Sequence, residues 1–248
     1  MKNLKYNKVL IISDNLFLIN AFHTLSLSIE GLSVDYACSN GNTALLNEPS
    51  LPVKIETIEV KKQHADIAAK YSLVFSLHCK QLFPAELVSA VKCINVHPGY
   101  NPYNRGWFPQ VFSILNKFPI GATIHEIDEK LDHGSIIARK LAETNSWDTS
   151  IDIYNRVQQL EVDLLKEHLV SILNGSYKTI APEAEGNINL KKDFNQLCKL
   201  DLGEAVTMGE AIDRLRALTH GNYANAFYTD TKTGDKIFVK ITLEKRGS

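Results

Sequence analysis

The stretch Cys93-Ile-Asn-Val-His97-Pro98-Gly99 decides how this chain folds. Its first residues read as a short buried strand, and Pro98-Gly99 ends that strand abruptly. Strand geometry repeats every two residues, so Asn95 and His97 point to one face. Upstream, Pro84 opens a helix over 84–91, at a position where its missing N–H costs nothing. Before that helix, YSLVFSL over 71–77 is a second strand. KVLIIS over 8–13 is a continuous apolar run of the kind that fills a buried parallel strand. Between them lie a helical segment over 16–28 and strands over 32–38 and 53–60. Strands alternating with helices predict an α/β fold: an open, mostly parallel sheet with helices on both faces. Such sheets bind ligands at the carboxyl ends of their strands, which is where Asn95 and His97 fall.

Downstream, two more strands are expected over 121–127 and 135–141, joined by a turn over 128–134. Thr149 or Ser150 then caps the clearest helix, with Asp152 in its first turn. Ile153, Val157, Leu160, Leu164 and Leu169 give that helix an apolar stripe, and Asn174-Gly175 ends it. The pattern changes after it. Residues 178–188 are loop-like, 208–218 form a short amphipathic helix, and 226–228 with 237–243 flank a polar turn containing Gly234, as in a hairpin. The chain therefore divides into a first domain over 1–178 and a small α+β module over 179–248. A module this small rarely carries its own core, so it should dock on the first domain or on a second subunit.

With 248 residues, 44% of them apolar, the chain can bury one substantial core. A formal net charge of -1 without long like-charge blocks argues against a nucleic-acid or membrane-surface partner. No run approaches the length of a membrane span, and the polar N-terminus lacks a signal-peptide pattern. Cys38, Cys79, Cys93 and Cys198 lack both metal-ligand spacing and the density of a disulfide scaffold. A reducing cytoplasm and no bound metal are expected.

A second cluster follows the first. Thr123-Ile-His125 alternates along the next strand, and Asp132-His133-Gly134 lies in the turn after it. Taken alone, an Asp in such a turn bonds its own backbone. Taken with Asn95-Val-His97-Pro98, Gly121-Ala-Thr-Ile-His125 and Leu131-Asp132-His-Gly134, it resembles the signature of the folate-dependent formyltransferases. The resemblance is strong over about residues 71–142. It implies a Rossmann-like domain and a catalytic triad of Asn95, His97 and Asp132, with His125 supporting the site. It also implies that N10-formyltetrahydrofolate is the co-substrate, its pterin paired by the backbone around Lys80, Gln81 and Leu82.

The chemistry fits those groups. An amine attacking a formyl carbon creates an alkoxide, which needs donors already aimed at it. Asn95, and His97 if protonated, are the expected donors. His97 also suits the required proton transfers, with Asp132 orienting it. The loop Asn101-Pro-Tyr-Asn-Arg-Gly106-Trp107, the segment Ile212-Asp-Arg-Leu-Arg-Ala-Leu218 and Tyr223-Ala-Asn-Ala-Phe227 look like the nucleotide-sugar branch of that family. That branch implies a homodimer and a dTDP-linked amino-dideoxy sugar, with the 4-amine of 4-amino-4,6-dideoxyglucose as acceptor, in surface-polysaccharide (O-antigen) synthesis. Arg105, Lys191 or Lys192, and Arg216 are then candidate diphosphate partners, Tyr223 a platform for thymine, Tyr103 a further substrate-binding residue, and Trp107 either a core plug or a wall of the sugar pocket. Other amines (a 3-amino sugar nucleotide, methionyl-tRNA, a purine precursor) and simple hydrolysis of the formyl-folate remain alternatives.

Overall fold

The apolar run Lys8–Ser13 forms β1, at the centre of a seven-stranded sheet. The computed structural model describes residues 4–247. After β1 come α1 (Leu16–Ser26), β2 (Ser33–Ser39), α2 (Thr43–Leu46), β3 (Ile55–Ile58), α3 (Val60–Lys70), β4 (Leu73–Leu77), α4 (Ala85–Ala90) and β5 (Lys92–His97). The short strand β6 (Arg105–Gly106), α5 (Pro109–Asn116), β7 (Gly121–Glu126), β8 (Ile136–Leu141) and the long helix α6 (Ser150–Leu173) follow. The remainder holds β9 (Ile188–Asn189), α7 (Lys191–Cys198), α8 (Met208–Leu218), β10 (Thr219–His220), β11 (Tyr223–Ala224), β12 (Ala226–Thr229) and β13 (Lys236–Val239).

The sheet order is β3-β2-β1-β4-β5-β7-β8. The first five strands are parallel, and β7 and β8 are each antiparallel to their predecessor. The architecture is the expected Rossmann-like one. Alternation along β1 explains its two layers. Val9 and Ile11 face one core with Leu18, Phe22 and the apolar stripe of α6, while Leu10 and Ile12 face another with Val60, Ile67 and Leu87. The strand order reverses between β1 and β4, so a crevice opens outside their carboxyl ends.

Several elements differ locally from the expected pattern. The strand expected over 53–60 stops at Ile58, because Val60 and Ile67 are two buried positions on one face of α3. The helix α5 follows a left-handed Phe108, with Pro109 at its first turn, and α7 begins at Lys191, where Asp193 accepts from the Leu190 N–H at 2.7 Å. Neither was anticipated, since each is only eight residues long. The last strand covers 236–239 rather than 237–243.

Thr149 is the N-cap of α6, and Asp152 accepts from the Thr149 N–H at 2.8 Å. The helix packs on β7, α1 and α5, and α8 packs on α5 and α6. Among the described residues no helix is long and apolar enough to cross a membrane. Leu165 is fully buried in this layer. Leu165→Ala should cost about 2–5 kcal/mol in urea unfolding, through lost burial plus an unfilled cavity; a loss below half a kcal/mol would mean that α6 is not packed this way.

Candidate active site

Sheet register sets Asn95 of β5 beside His125 of β7, and His97 beside Thr123. Asp132 follows β7 in a turn and takes a left-handed φ of 48°. A non-glycine residue there costs roughly 1–2 kcal/mol, so the surroundings must hold it. They do so with three hydrogen bonds. Asn95 Nδ2 donates to Asp132 Oδ1 at 2.9 Å, the Gly106 N–H donates to Oδ2 at 3.0 Å, and Asn101 Nδ2 donates to the Asp132 carbonyl oxygen at 2.8 Å. His97 Nδ1 stands 3.5 Å from Asp132 Oδ2, longer than a formed hydrogen bond. The structure thus brings Asn95, His97 and Asp132 together, with His125 behind them.

Proton positions follow from the partners. His125 Nδ1 lies 2.7 Å from the Glu126 carbonyl oxygen, which can only accept. Nδ1 therefore carries the hydrogen, and Nε2 accepts from Asn95 Nδ2 at 3.2 Å. Both amide hydrogens of Asn95 are then engaged, and its Oδ1 is the atom left over. This differs from the expectation of a ready amide donor: Asn95 can serve an alkoxide only by giving up the longer bond to His125.

Burial pushes the His97 imidazole down to about 4, against the pull of the Asp132 charge. Burial would raise Asp132, but His97, His125 and the Gly106 N–H outweigh it and hold the carboxyl well below the usual carboxylate range. At neutral pH the carboxylate keeps the charge and His97 is an uncharged base. His97 Nε2 is buried without a partner. A Cβ at Gly99 would lie 2.4 Å from it, so only glycine leaves the ring room at that turn.

Two cavities meet here. One, of about 690 Å³, is lined by His78, His97, Trp107, Phe108, Tyr154 and Tyr223 among others. The other, of about 400 Å³, is lined by Phe83, Pro84, His125, Ile127, Asp128 and others. Asn95, Asp132, Gln81 and Leu82 border both. A larger hollow of about 760 Å³ lies along the β2–β3 edge and contains none of the expected groups. Among the described residues no cluster of three or more His, Cys, Asp or Glu could hold a metal ion.

The outer candidates divide. Lys80, Trp107 and Tyr223 line the larger cavity, and the Lys191 ammonium lies 5.4 Å above the Trp107 ring. The Lys80 N–H already donates to Asp14 Oδ2 at 3.0 Å, and the Gln81 side chain is tied inward to Val60 N and Ile58 O. Arg105 and Arg216, both expected at the diphosphate, are engaged within the chain. Arg105 is buried behind the Asp132 turn, on the Leu131 carbonyl and Glu185. Arg216 is buried too, bonded to Asp213 and the Asp148 carbonyl, where it fastens α8 to the start of α6. Tyr103 packs on Phe118 and borders neither cavity. His78, Ser150, Tyr154, Phe194 and His220 line the larger cavity and were not expected at the site from sequence. Only His78 carried a signal, at the carboxyl end of a predicted strand.

A family model described as "Formyl transferase" matches residues 45–169, and one described as "N-formyltransferase dimerization C-terminal domain" matches residues 193–245. The chain is 46% identical over 238 residues to a dTDP-4-amino-4,6-dideoxyglucose formyltransferase of Mycobacterium tuberculosis, covering 95% of this chain and 96% of that one. It is 47% identical to a 4-N formyltransferase from Francisella tularensis of known structure, with a TM-score of 0.92 over 97% of this chain and 99% of that one. An N-formyltransferase from Helicobacter canadensis, in complex with folinic acid and dTDP-3-aminofucose, shares the fold at 21% identity, with a TM-score of 0.67 over 84% of this chain and 79% of that one.

His97 should titrate far below an ordinary histidine. An NMR titration of the labelled imidazole is expected to give a midpoint near 4 rather than 6.5; an ordinary midpoint would refute the buried, neutral state.

Proposed function

The chain belongs to the formyl transferase family and is an N-formyltransferase, and from that premise we propose that it moves a formyl group from N10-formyltetrahydrofolate to the 4-amine of dTDP-4-amino-4,6-dideoxyglucose. The observation that carries this reading is the shared wall. Asn95 and Asp132 border both cavities, so groups held on either side could react across them. The smaller cavity, behind Gln81 and Leu82, suits the flat pterin. The larger one, with Trp107 and Tyr223, suits a nucleotide-linked sugar.

The residues then have distinct roles. The uncharged amine nitrogen bonds to the formyl carbon and the carbonyl oxygen becomes an alkoxide. Asn95 turns an amide hydrogen to that oxygen, releasing the 3.2 Å contact to His125. His97 Nε2 takes the proton from the new N–C ammonium. Asp132 steadies the brief imidazolium from 3.5 Å and orients its ring. His97 returns the proton to the folate nitrogen as the C–N10 bond breaks, and the oxygen becomes a formamide carbonyl again. A base held near 4 is weak, but it gives up its proton readily.

The module over 179–248 is proposed to pair two copies of the chain. Its match to a dimerization domain and its exposed Ile237 and Phe238 support this. Four unpaired cysteines suit a reducing cytoplasm.

Two measurements test the reading. His97→Ala should lower kcat by at least about 10²-fold with an unchanged melting profile; undiminished turnover would remove His97 from the chemistry. Incubation with N10-formyltetrahydrofolate and a panel of dTDP-linked 4-amino and 3-amino sugars should add one formyl mass to the 4-amino-4,6-dideoxyglucose compound first. Preference for a 3-amine would overturn the acceptor, and rapid formate release without any amine would overturn transfer itself.

A further inference from the structure

A second buried carboxylate stands behind the larger cavity. Glu161 on α6 is fully buried, and its two oxygens lie 2.8 and 3.0 Å from His78 Nε2. His78 follows β4 with a left-handed φ of 55°. On the other side of its ring, Nδ1 meets Asn15 Nδ2 at 3.2 Å, and the same Asn15 nitrogen reaches the Tyr154 hydroxyl at 3.0 Å. Asn15 and His78 follow β1 and β4, the two strands between which the sheet order reverses. The chain of contacts therefore lies in the crevice where an open α/β sheet takes its ligands.

The direction of every bond in this chain is fixed. Asn15 caps α1, and its Oδ1 accepts from the Leu18 N–H at 3.1 Å. Its Nδ2 must then give both hydrogens, one to His78 Nδ1 and one to the Tyr154 oxygen. His78 thus carries its hydrogen on Nε2 and donates it to Glu161. The Tyr154 hydroxyl has accepted a hydrogen and keeps its own. The other acceptor within reach is His78 Nδ1 at 3.4 Å, whose lone pair already takes the closer Asn15 hydrogen. The Tyr154 O–H is left to point into the cavity that Tyr154 lines.

We propose that Tyr154 is a substrate contact whose hydroxyl donates a hydrogen bond to an acceptor oxygen of the nucleotide-linked sugar, with Asn15, His78 and Glu161 as positioning residues that aim it. This rests on the acceptor assigned above. Arg105 and Arg216 are engaged elsewhere in the chain, so beside Lys80 and Lys191 a neutral hydroxyl is a further donor that this cavity offers an oxygen-rich substrate.

Tyr154→Phe should raise KM for the sugar nucleotide roughly 5–30-fold, the loss expected for one hydrogen bond to a polar or charged oxygen, and leave KM for the folate unchanged. Asn15→Asp separates aiming from mere support. Asp caps a helix as well as Asn does, but its carboxylate only accepts, so the Tyr154 O–H would turn toward it and away from the substrate. The expected KM rise matches that of Tyr154→Phe, and the double variant should be no worse than either single one. A sugar-nucleotide KM within twofold of wild type in Tyr154→Phe overturns the contact. A folded Asn15→Asp with unchanged KM, or additive effects in the double variant, overturns the aiming; if Asn15→Asp does not fold, Tyr154→Phe alone decides. Wild-type enzyme that turns over no nucleotide amino sugar removes the acceptor reading, and this inference falls with it; active wild type with unaffected variants refutes this inference alone.

Discussion

A carboxylate stays ionised inside a protein only where donors surround it, and Asp132 is satisfied from separate stretches of chain. Asn95 reaches it from β5, the Gly106 N–H from β6, and Asn101 holds its carbonyl oxygen from the loop between them. Leaving any of these acceptors bare in so buried a place would cost about 1–3 kcal/mol, more for a charge. The loop over 98–108, the turn after β7 and the strand pair β5–β7 are therefore fixed relative to one another by one anion. The other fastenings reinforce it. Thr123 Oγ1 donates to the Gly99 carbonyl at 2.7 Å and accepts from the Asn101 N–H at 3.1 Å. Asn104 ties the loop to Asn116, Asn187 and Asn189.

The sequence carried most of this framework because strand ends are written in residue types. Apolar runs at 8–13 and 71–77 and the stop at Pro98-Gly99 located the parallel strands, and period two placed Asn95 and His97 on one face. Asp132 was legible only through a pattern shared with a family, since a turn aspartate alone implies no more than a turn. What sequence could not reveal was the direction of long side chains. Arg105 and Arg216 look like free cations until the fold shows them bonded to carbonyls and carboxylates of distant segments. Tyr154 looks like any residue in the second turn of a helix. Its role depends on Asn15, which is 139 residues away, and no local spacing records such a contact.

In the proposed mechanism the shared wall gives a reason for Asn95, His97 and Asp132 to be tightly held. Two reactants in separate chambers gain from proximity only if the groups between them do not shift when either binds. His97 is fixed by the missing side chain at Gly99 and by the edge of His125, whose ring centroid lies 6.3 Å away. His125 is itself locked by the Glu126 carbonyl. The one adjustable element is the Asn95 amide, which holds a short bond to Asp132 and a longer one to His125. In the proposed mechanism, stabilisation of the alkoxide is then an exchange of one hydrogen bond, made without moving the wall.

Two buried carboxylate–imidazole pairs flank the same cavity, yet their chemistry diverges for a reason that hydrogen-bond counting makes plain. His97 has one nitrogen turned toward Asp132 and the other unpartnered, so a proton can arrive at Nε2 from a reactant. His78 has both nitrogens committed, to Glu161 and to Asn15, so no proton can reach it without breaking a bond already made. The first pair leaves a nitrogen open for the proton exchange proposed above, and the second leaves none. Burial is common to both carboxylates and does not set their roles. The free valence on the imidazole does, and at His78 that valence is taken by the Asn15 amide, whose other hydrogen goes to the Tyr154 oxygen.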